Sequence, residues 1–167
     1  VSEQGDAASA DKKPSLAELL MNDAEREFLR RKKTNQAAAV SAENRGLPKI
    51  DDEILTALGI RKLTSKHLIL YTDLPRDPFV DEIPKVFDLA VAKWAEYFQV
   101  DVSTLSHWQV AGSLIQSEEK FQTAKLLPAD LPPFLNGFQK GRQFWVYEQE
   151  SPYYRRHLVL HEGVHAF

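Results

Sequence analysis

The protein is a chain of 167 residues, of which 43% are hydrophobic and 27% charged, with a formal net charge of −3. This composition is ordinary for a globular protein. The slightly acidic balance argues against a nucleic-acid partner, because nucleic-acid binding requires a basic surface. The chain has no cysteine, which excludes disulfides and thiolate metal ligands. It also lacks an apolar run of about 18 residues, so we expect no transmembrane segment.

The N-terminal third of the chain is polar and charged. Residues 1–14 are small or charged and predict a disordered lead-in. Ser15 and Glu18 have the spacing of a capping box, which predicts the start of a helix. The basic residues 30–33 suit the C-terminal end of that helix dipole, and we interpret them as solvated rather than as a site for an anionic partner. Residues 15–47 are therefore predicted to be a charged helix and a linker.

A more compact α+β region is predicted from residue 48 onward. Its first half contains a short helix over 51–58 that Gly59 ends, a buried strand over 66–72, and a long amphipathic helix over 79–98 with Pro84 in its first turn. Its second half contains a strand over 107–115, a short helix or turn over 118–125, a loop over 127–133, a turn at Asn136 and Gly137, and a strand over 143–148. The order of these elements predicts helices packed on a small sheet.

The last helix carries the residues with the most specific spacing. Ser151 and Pro152 predict its start, because serine is a good N-cap and proline is tolerated in the first turn. The motif H-E-x-x-H follows, and residues four apart share one face of a helix, so His161 and His165 can bind one zinc ion. Glu162 lies about 100° further around the helix, where it can act as a base on a water bound to the metal. Apolar residues on most sides predict that this helix is buried, and a metal would then supply the partners that buried histidines need.

The sequence around this motif resembles the zincin metallopeptidases, specifically their gluzincin-like or peptidase MA-like group. The resemblance rests on residues 158–167 and, more weakly, on the order of strands and helices from residue 66 onward. Residues 153–157 resemble the run that leads into the motif in zincin-like proteins from bacteria. The resemblance implies a zincin-like N-terminal subdomain, in which a small mixed sheet is packed by a long helix and the active-site helix and preceded by an N-terminal helix. It also implies that His161 and His165 bind Zn²⁺ and that Glu162 is the catalytic base.

A catalytic zinc site takes three protein ligands and leaves a fourth position open for water. His157 is eight residues from His165, about 12 Å along a helix axis, and is too far away to share its ion. We therefore expect the third ligand to lie outside this chain, residues 48–167 to be the N-terminal part of a catalytic domain that is incomplete at its C-terminus, and the chain alone to be inactive. His157, Tyr154 and Tyr153 are candidates for supporting the metal ligands or contacting the substrate, with aromatic packing as the alternative for the tyrosines.

Three further residues are interpreted as structural. His67 stands at the start of a predicted strand, where a histidine is more often structural than a ligand. Arg155 and Arg156 lie early in the last helix, against the preference of the helix dipole. We expect them to form ion pairs with acidic residues of the fold, and contact with a substrate carboxylate is the alternative.

The intact protein is predicted to hydrolyse peptide bonds in a peptide or protein substrate. Zinc would activate a water, and Glu162 would take its proton and pass it to the leaving amine. An extended substrate can add to an exposed sheet edge through main-chain hydrogen bonds, and the strand over 143–148 is the predicted edge. The alternative is a non-catalytic domain of zincin fold that binds a partner through its cleft or its basic N-terminal helix.

Overall fold

A computed structural model describes residues 46–167, which form a mixed α/β fold around one open five-stranded sheet. In chain order the elements are α1 (Asp52–Ala57), β1 (Arg61–Thr64), β2 (Leu68–Thr72), α2 (Pro78–Asp81), α3 (Ile83–Phe98), a 3₁₀ helix (Val102–Leu105), β3 (Val110–Ile115), α4 (Glu118–Thr123), β4 (Gly137–Lys140), β5 (Gln143–Tyr147) and α5 (Pro152–Ala166). The predicted lead-in over 1–14 and nearly all of the predicted helix and linker over 15–47 lie outside the described residues. None of the helices in residues 46–167 combines the length and apolarity needed to cross a bilayer.

The sheet has the strand order β1-β2-β3-β5-β4. The three central strands are parallel, and the strands at both edges are antiparallel to their neighbours. Strands β2 and β3 are almost entirely buried, as expected for parallel strands covered on both faces. Gly112 is tolerated inside β3 because the ring of Phe144 on β5 occupies the space where its Cβ would lie.

Two sequence-based predictions about the end of the sheet are wrong. The strand over 143–148 is not an edge, because β5 pairs with β3 on one side and with β4 on the other. The turn is not at Asn136 and Gly137, because Gly137 begins β4. The chain reverses instead at Gly141 and Arg142, where Gly141 has φ +62°, as the first central position of a tight hairpin requires.

The long helix predicted over 79–98 is two helices, α2 and α3, with Glu82 between them. A proline inside a helix clashes with the carbonyl group four residues before it, so a helix starting at residue 79 cannot pass unbroken through Pro84. The chain resolves this conflict by beginning α3 at Ile83, which places Pro84 in the first turn of the new helix. The amphipathic face of α3 then buries Phe87 and Val91 against the sheet.

Both faces of the sheet carry a hydrophobic core. Helices α3 and α5 cover one face, where the buried side chains include Leu70, Phe87, Phe144 and Val159. On the other face, helices α1 and α4 and the loop after α4 form a second hydrophobic core with the sheet, which includes Phe121 and Trp145. The side chains of β5 therefore alternate between the two cores, with Phe144 and Val146 on the α5 side and Trp145 on the other.

Candidate metal centre

Helix α5 is held in place by ion pairs at its N-terminal end. The Ser151 side chain accepts a hydrogen bond from the backbone N–H of Tyr154, as predicted for an N-cap. The buried Arg155 guanidinium binds the Glu148 carboxylate. Its Nε donates to both carboxylate oxygens, at 3.0 and 2.9 Å, and one Nη atom also donates to Oε1. Arg156 donates to the Glu82 carboxylate at 2.8 Å. The predicted ion pairs of both arginines are confirmed, and they connect α5 to the end of β5 and to the start of α3.

One side of α5 is buried and the other is exposed. The buried residues of the motif region are Leu158, Val159, Glu162 and Gly163. The prediction that this helix is buried is correct for one side only, because the face that carries the histidines is open to solvent. Burial therefore does not force the histidines to take a metal, and the arrangement of their rings decides whether they can share one.

Three histidines form a continuous stripe on the exposed face of α5, as the helical spacing predicts. Their ring centroids are 6.3 Å apart for His157 and His161, and 4.7 Å apart for His161 and His165. Tyr153 and Tyr154 extend the stripe towards the helix start, stacked on His157 at 6.4 and 6.3 Å. Both tyrosines are exposed, so their packing partner is this stripe and not the hydrophobic core.

The Nε2 atoms of His161 and His165 lie close together. They are 3.2 Å apart, and the ring planes are nearly perpendicular. Zinc–nitrogen bonds of about 2.0–2.1 Å at a tetrahedral angle place two nitrogen ligands about 3.3–3.4 Å apart. The same separation allows a hydrogen bond between the rings when one nitrogen carries a proton. The Nε2–Nε2 separation is therefore close to that of two nitrogen ligands of one zinc ion.

Glu162 lies on the buried side of the same helical turn, with 8% of its surface exposed. Its side chain contacts the backbone of Gly137, the first residue of β4. A Cβ atom at position 137 would lie 2.6 Å from Oε1 and 2.8 Å from Cγ of Glu162, closer than real Cβ contacts. Only a residue without a side chain leaves the carboxylate where it is, so Gly137 belongs to the site. The sequence offered no signal for Gly137, because this contact depends on how β4 pairs in the sheet.

The outer edge of β4 has no neighbouring strand among residues 46–167. The Tyr147 N–H donates to the Asn136 carbonyl at 2.9 Å, and hydrogen-bonded pairs alternate along an antiparallel ladder. Given the register in which Gly137 faces Val146, the backbone N–H and C=O groups of Gly137 and Gln139 point away from β5. The carboxylate of Glu162 therefore lies beside a strand edge whose backbone groups are available to another extended chain.

His67 takes no part in this arrangement, as predicted. Its ring is buried, and its Nδ1 lies 2.9 Å from the carbonyl oxygen of Trp108. That contact holds the loop before β3 against the start of β2, which is a structural role.

Within residues 46–167, no three histidine, cysteine, aspartate or glutamate side chains are grouped so as to hold a metal ion. Comparisons with protein-family models, with curated proteins and with solved structures found no match to this chain. The geometry of α5 and β4 is therefore the basis for a functional assignment.

Proposed function

We propose that this protein is a zinc-dependent hydrolase of peptide bonds, with a zincin-like catalytic domain of the gluzincin type. His161 and His165 would hold Zn²⁺, and Glu162 is the general base. The observation that carries the proposal is the 3.2 Å separation of the two Nε2 atoms, with a carboxylate on the same helical turn. A third ligand from outside the described residues would complete the set of three that catalytic zinc sites use.

The position of Glu162 supports its role as a base. When bound, zinc would lower the pKa of a water and polarise the scissile carbonyl group. Glu162 accepts the proton of the attacking water at its carboxylate and then transfers that proton to the nitrogen of the leaving amine. Because Gly137 contributes no side chain, the carboxylate can approach the backbone of β4 closely, where the substrate is expected.

The substrate is a peptide or protein segment in an extended conformation. It would add to the free edge of β4, where the backbone groups of Gly137 and Gln139 point outward, and not to β5. Main-chain hydrogen bonds of this kind hold a peptide independently of its side chains and place successive peptide bonds beside the strand. The bond opposite Gly137 would then lie next to Glu162.

The test uses the full-length protein and two measurements, bound zinc by elemental analysis and cleavage of casein. We expect about one zinc per chain and measurable cleavage in the wild type. Glu162→Gln should keep the zinc and lose activity by about 10²–10⁴-fold, the usual contribution of a general base. His161→Ala and His165→Ala should lower both zinc content and activity. His107→Ala is the matched control, because His107 is exposed and lies outside α5, and it should change neither.

Two outcomes would contradict the proposal. One is a wild-type protein that binds no zinc, and the other is a zinc-loaded protein that cleaves nothing in a broad panel of peptides and proteins. Either result would favour the alternative, a non-catalytic domain that uses this fold to bind a partner.

A further inference from the structure

Helix α5 carries three exposed histidines, although a zinc site of the proposed kind uses only two of them. His157, His161 and His165 recur every four residues, so each lies about 6 Å along the axis from the next. The ring of His161 has a histidine ring on both sides, at 6.3 Å towards His157 and 4.7 Å towards His165. His161 is therefore the shared member of two pairs with the same spacing.

The two pairs differ in the orientation of their rings. In the pair of His161 and His165 the rings are nearly perpendicular and their nitrogens converge, whereas the rings of His157 and His161 lie 28° from parallel. Both rings are exposed, and exposed side chains change rotamer within picoseconds to nanoseconds, so the two rings can turn towards a shared ion. Imidazole nitrogens four residues apart on a helix then offer two ligands to a zinc, nickel or copper ion.

We propose that His157 and His161 form a second binding site for a divalent transition-metal ion, one helical turn from the pair of His161 and His165. The two sites exclude each other, because each needs the His161 ring. A variant without the His165 side chain therefore still binds an ion, but one helical turn away from the position where Glu162 can act as a base on a metal-bound water. The consequence for activity rests on the proposed function, whereas binding at His157 and His161 does not.

The test compares His165→Ala with the double variant His157→Ala/His165→Ala. The two proteins differ only at position 157, so any metal ligand elsewhere in the chain contributes equally to both. Calorimetric titration with Zn²⁺ and with Ni²⁺ gives the dissociation constants without any activity measurement. We expect His165→Ala to bind each ion at least tenfold more tightly than the double variant. All positions changed are exposed, and an unchanged melting temperature checks that both proteins are folded.

Equal affinities of the two variants for both ions would overturn the second site. The failure of the proposed function would look different, because it would appear as a lack of turnover in the wild type and would leave the affinity difference intact. Histidine ring chemical shifts on titration with the diamagnetic ion Zn²⁺ give an independent measurement. Saturable shifts of both the His157 and the His161 ring in His165→Ala support the site, and a shift of His161 alone contradicts it.

Discussion

The backbone of Gly137 lies against the carboxylate of Glu162, so closely that a Cβ atom at position 137 would be 2.6 Å from Oε1. The contact joins the edge strand β4 to the helix that carries the H-E-x-x-H motif. The contact depends on three consecutive elements, β4, β5 and α5, because β4 pairs with β5 and α5 follows β5 in the chain. The strand edge and the general base of the proposed hydrolase are thereby placed side by side.

The Gly137→Ala substitution should therefore affect catalytic activity more strongly than it affects the free energy of unfolding. The new methyl group would push the Glu162 side chain away from β4, and a displaced base loses part of a contribution of about 10²–10⁴-fold. We expect kcat/KM of the full-length protein to fall by roughly tenfold or more, with zinc content unchanged. Steady-state peptide cleavage and elemental analysis measure the two quantities.

A double-mutant cycle separates this displacement from a general effect of the alanine. In the background of Glu162→Ala, the Gly137→Ala substitution has no carboxylate to meet, so its cost in unfolding free energy should shrink. Chemical denaturation of the four proteins gives the coupling energy. A coupling energy of zero would show that the contact does not restrict position 137.

Gly163→Ala should destabilise the protein, although alanine is the better helix former by about 1 kcal/mol. A Cβ atom there would lie 2.4 Å from the Phe87 ring and 3.1 Å from the Trp94 ring, so α5 and α3 would have to separate. Overpacking of this kind costs about 1–3 kcal/mol, which exceeds the gain in helix propensity. Urea denaturation measures the difference, and His157→Ala on the exposed face of the same helix is the control with little expected effect. A more stable Gly163→Ala protein would refute the close packing of the two helices.

The neighbouring arginines of α5 should differ sharply in their contribution to stability. Arg155→Met would leave Glu148 without its partner beside a buried position, at a cost of about 3 kcal/mol. Arg156→Met breaks a pair whose side chains are 37% and 41% exposed, and such pairs contribute about 0–1 kcal/mol. Thermal and urea unfolding of both variants tests the contrast. Equal losses in the two would mean that burial does not set the strength of these pairs.

Tyr71 should make the folded state sensitive to alkaline pH. Burial raises the pKa of its phenol above the ordinary value, and the nearby Lys62 only partly opposes this. A folded-state pKa above the unfolded one means that the stability contribution is complete below the unfolded pKa and is lost as pH rises through the folded pKa. The unfolding free energy should therefore fall more steeply in the wild type than in Tyr71→Phe as the pH rises above about 10, because the unfolded phenol ionises near pH 10 while the buried phenol stays protonated. Parallel slopes for the two proteins would contradict this.

Several features of the fold were predictable because they are encoded locally. The cap at Ser151, the buried strand β2 and the presence of a strand at β5 follow from residue type and short-range periodicity. The same holds for the histidine stripe, since a helix with four-residue spacing places His157, His161 and His165 in one row whatever packs around it. The edge strands β1 and β4 escaped prediction because each has four residues, most of them only partly buried, and neither shows a marked apolar alternation.

By itself, the sequence determined which residues could act together on α5, namely two histidines four apart with a glutamate beside the first. Only the tertiary structure decided that the histidine row faces solvent, that Glu162 is turned into the protein, and that its neighbour there is Gly137. The physical reason is the range of the interactions involved. Helical spacing is set by hydrogen bonds four residues apart, whereas the exposed face of a helix and the free edge of a sheet depend on strand pairing and packing between distant segments.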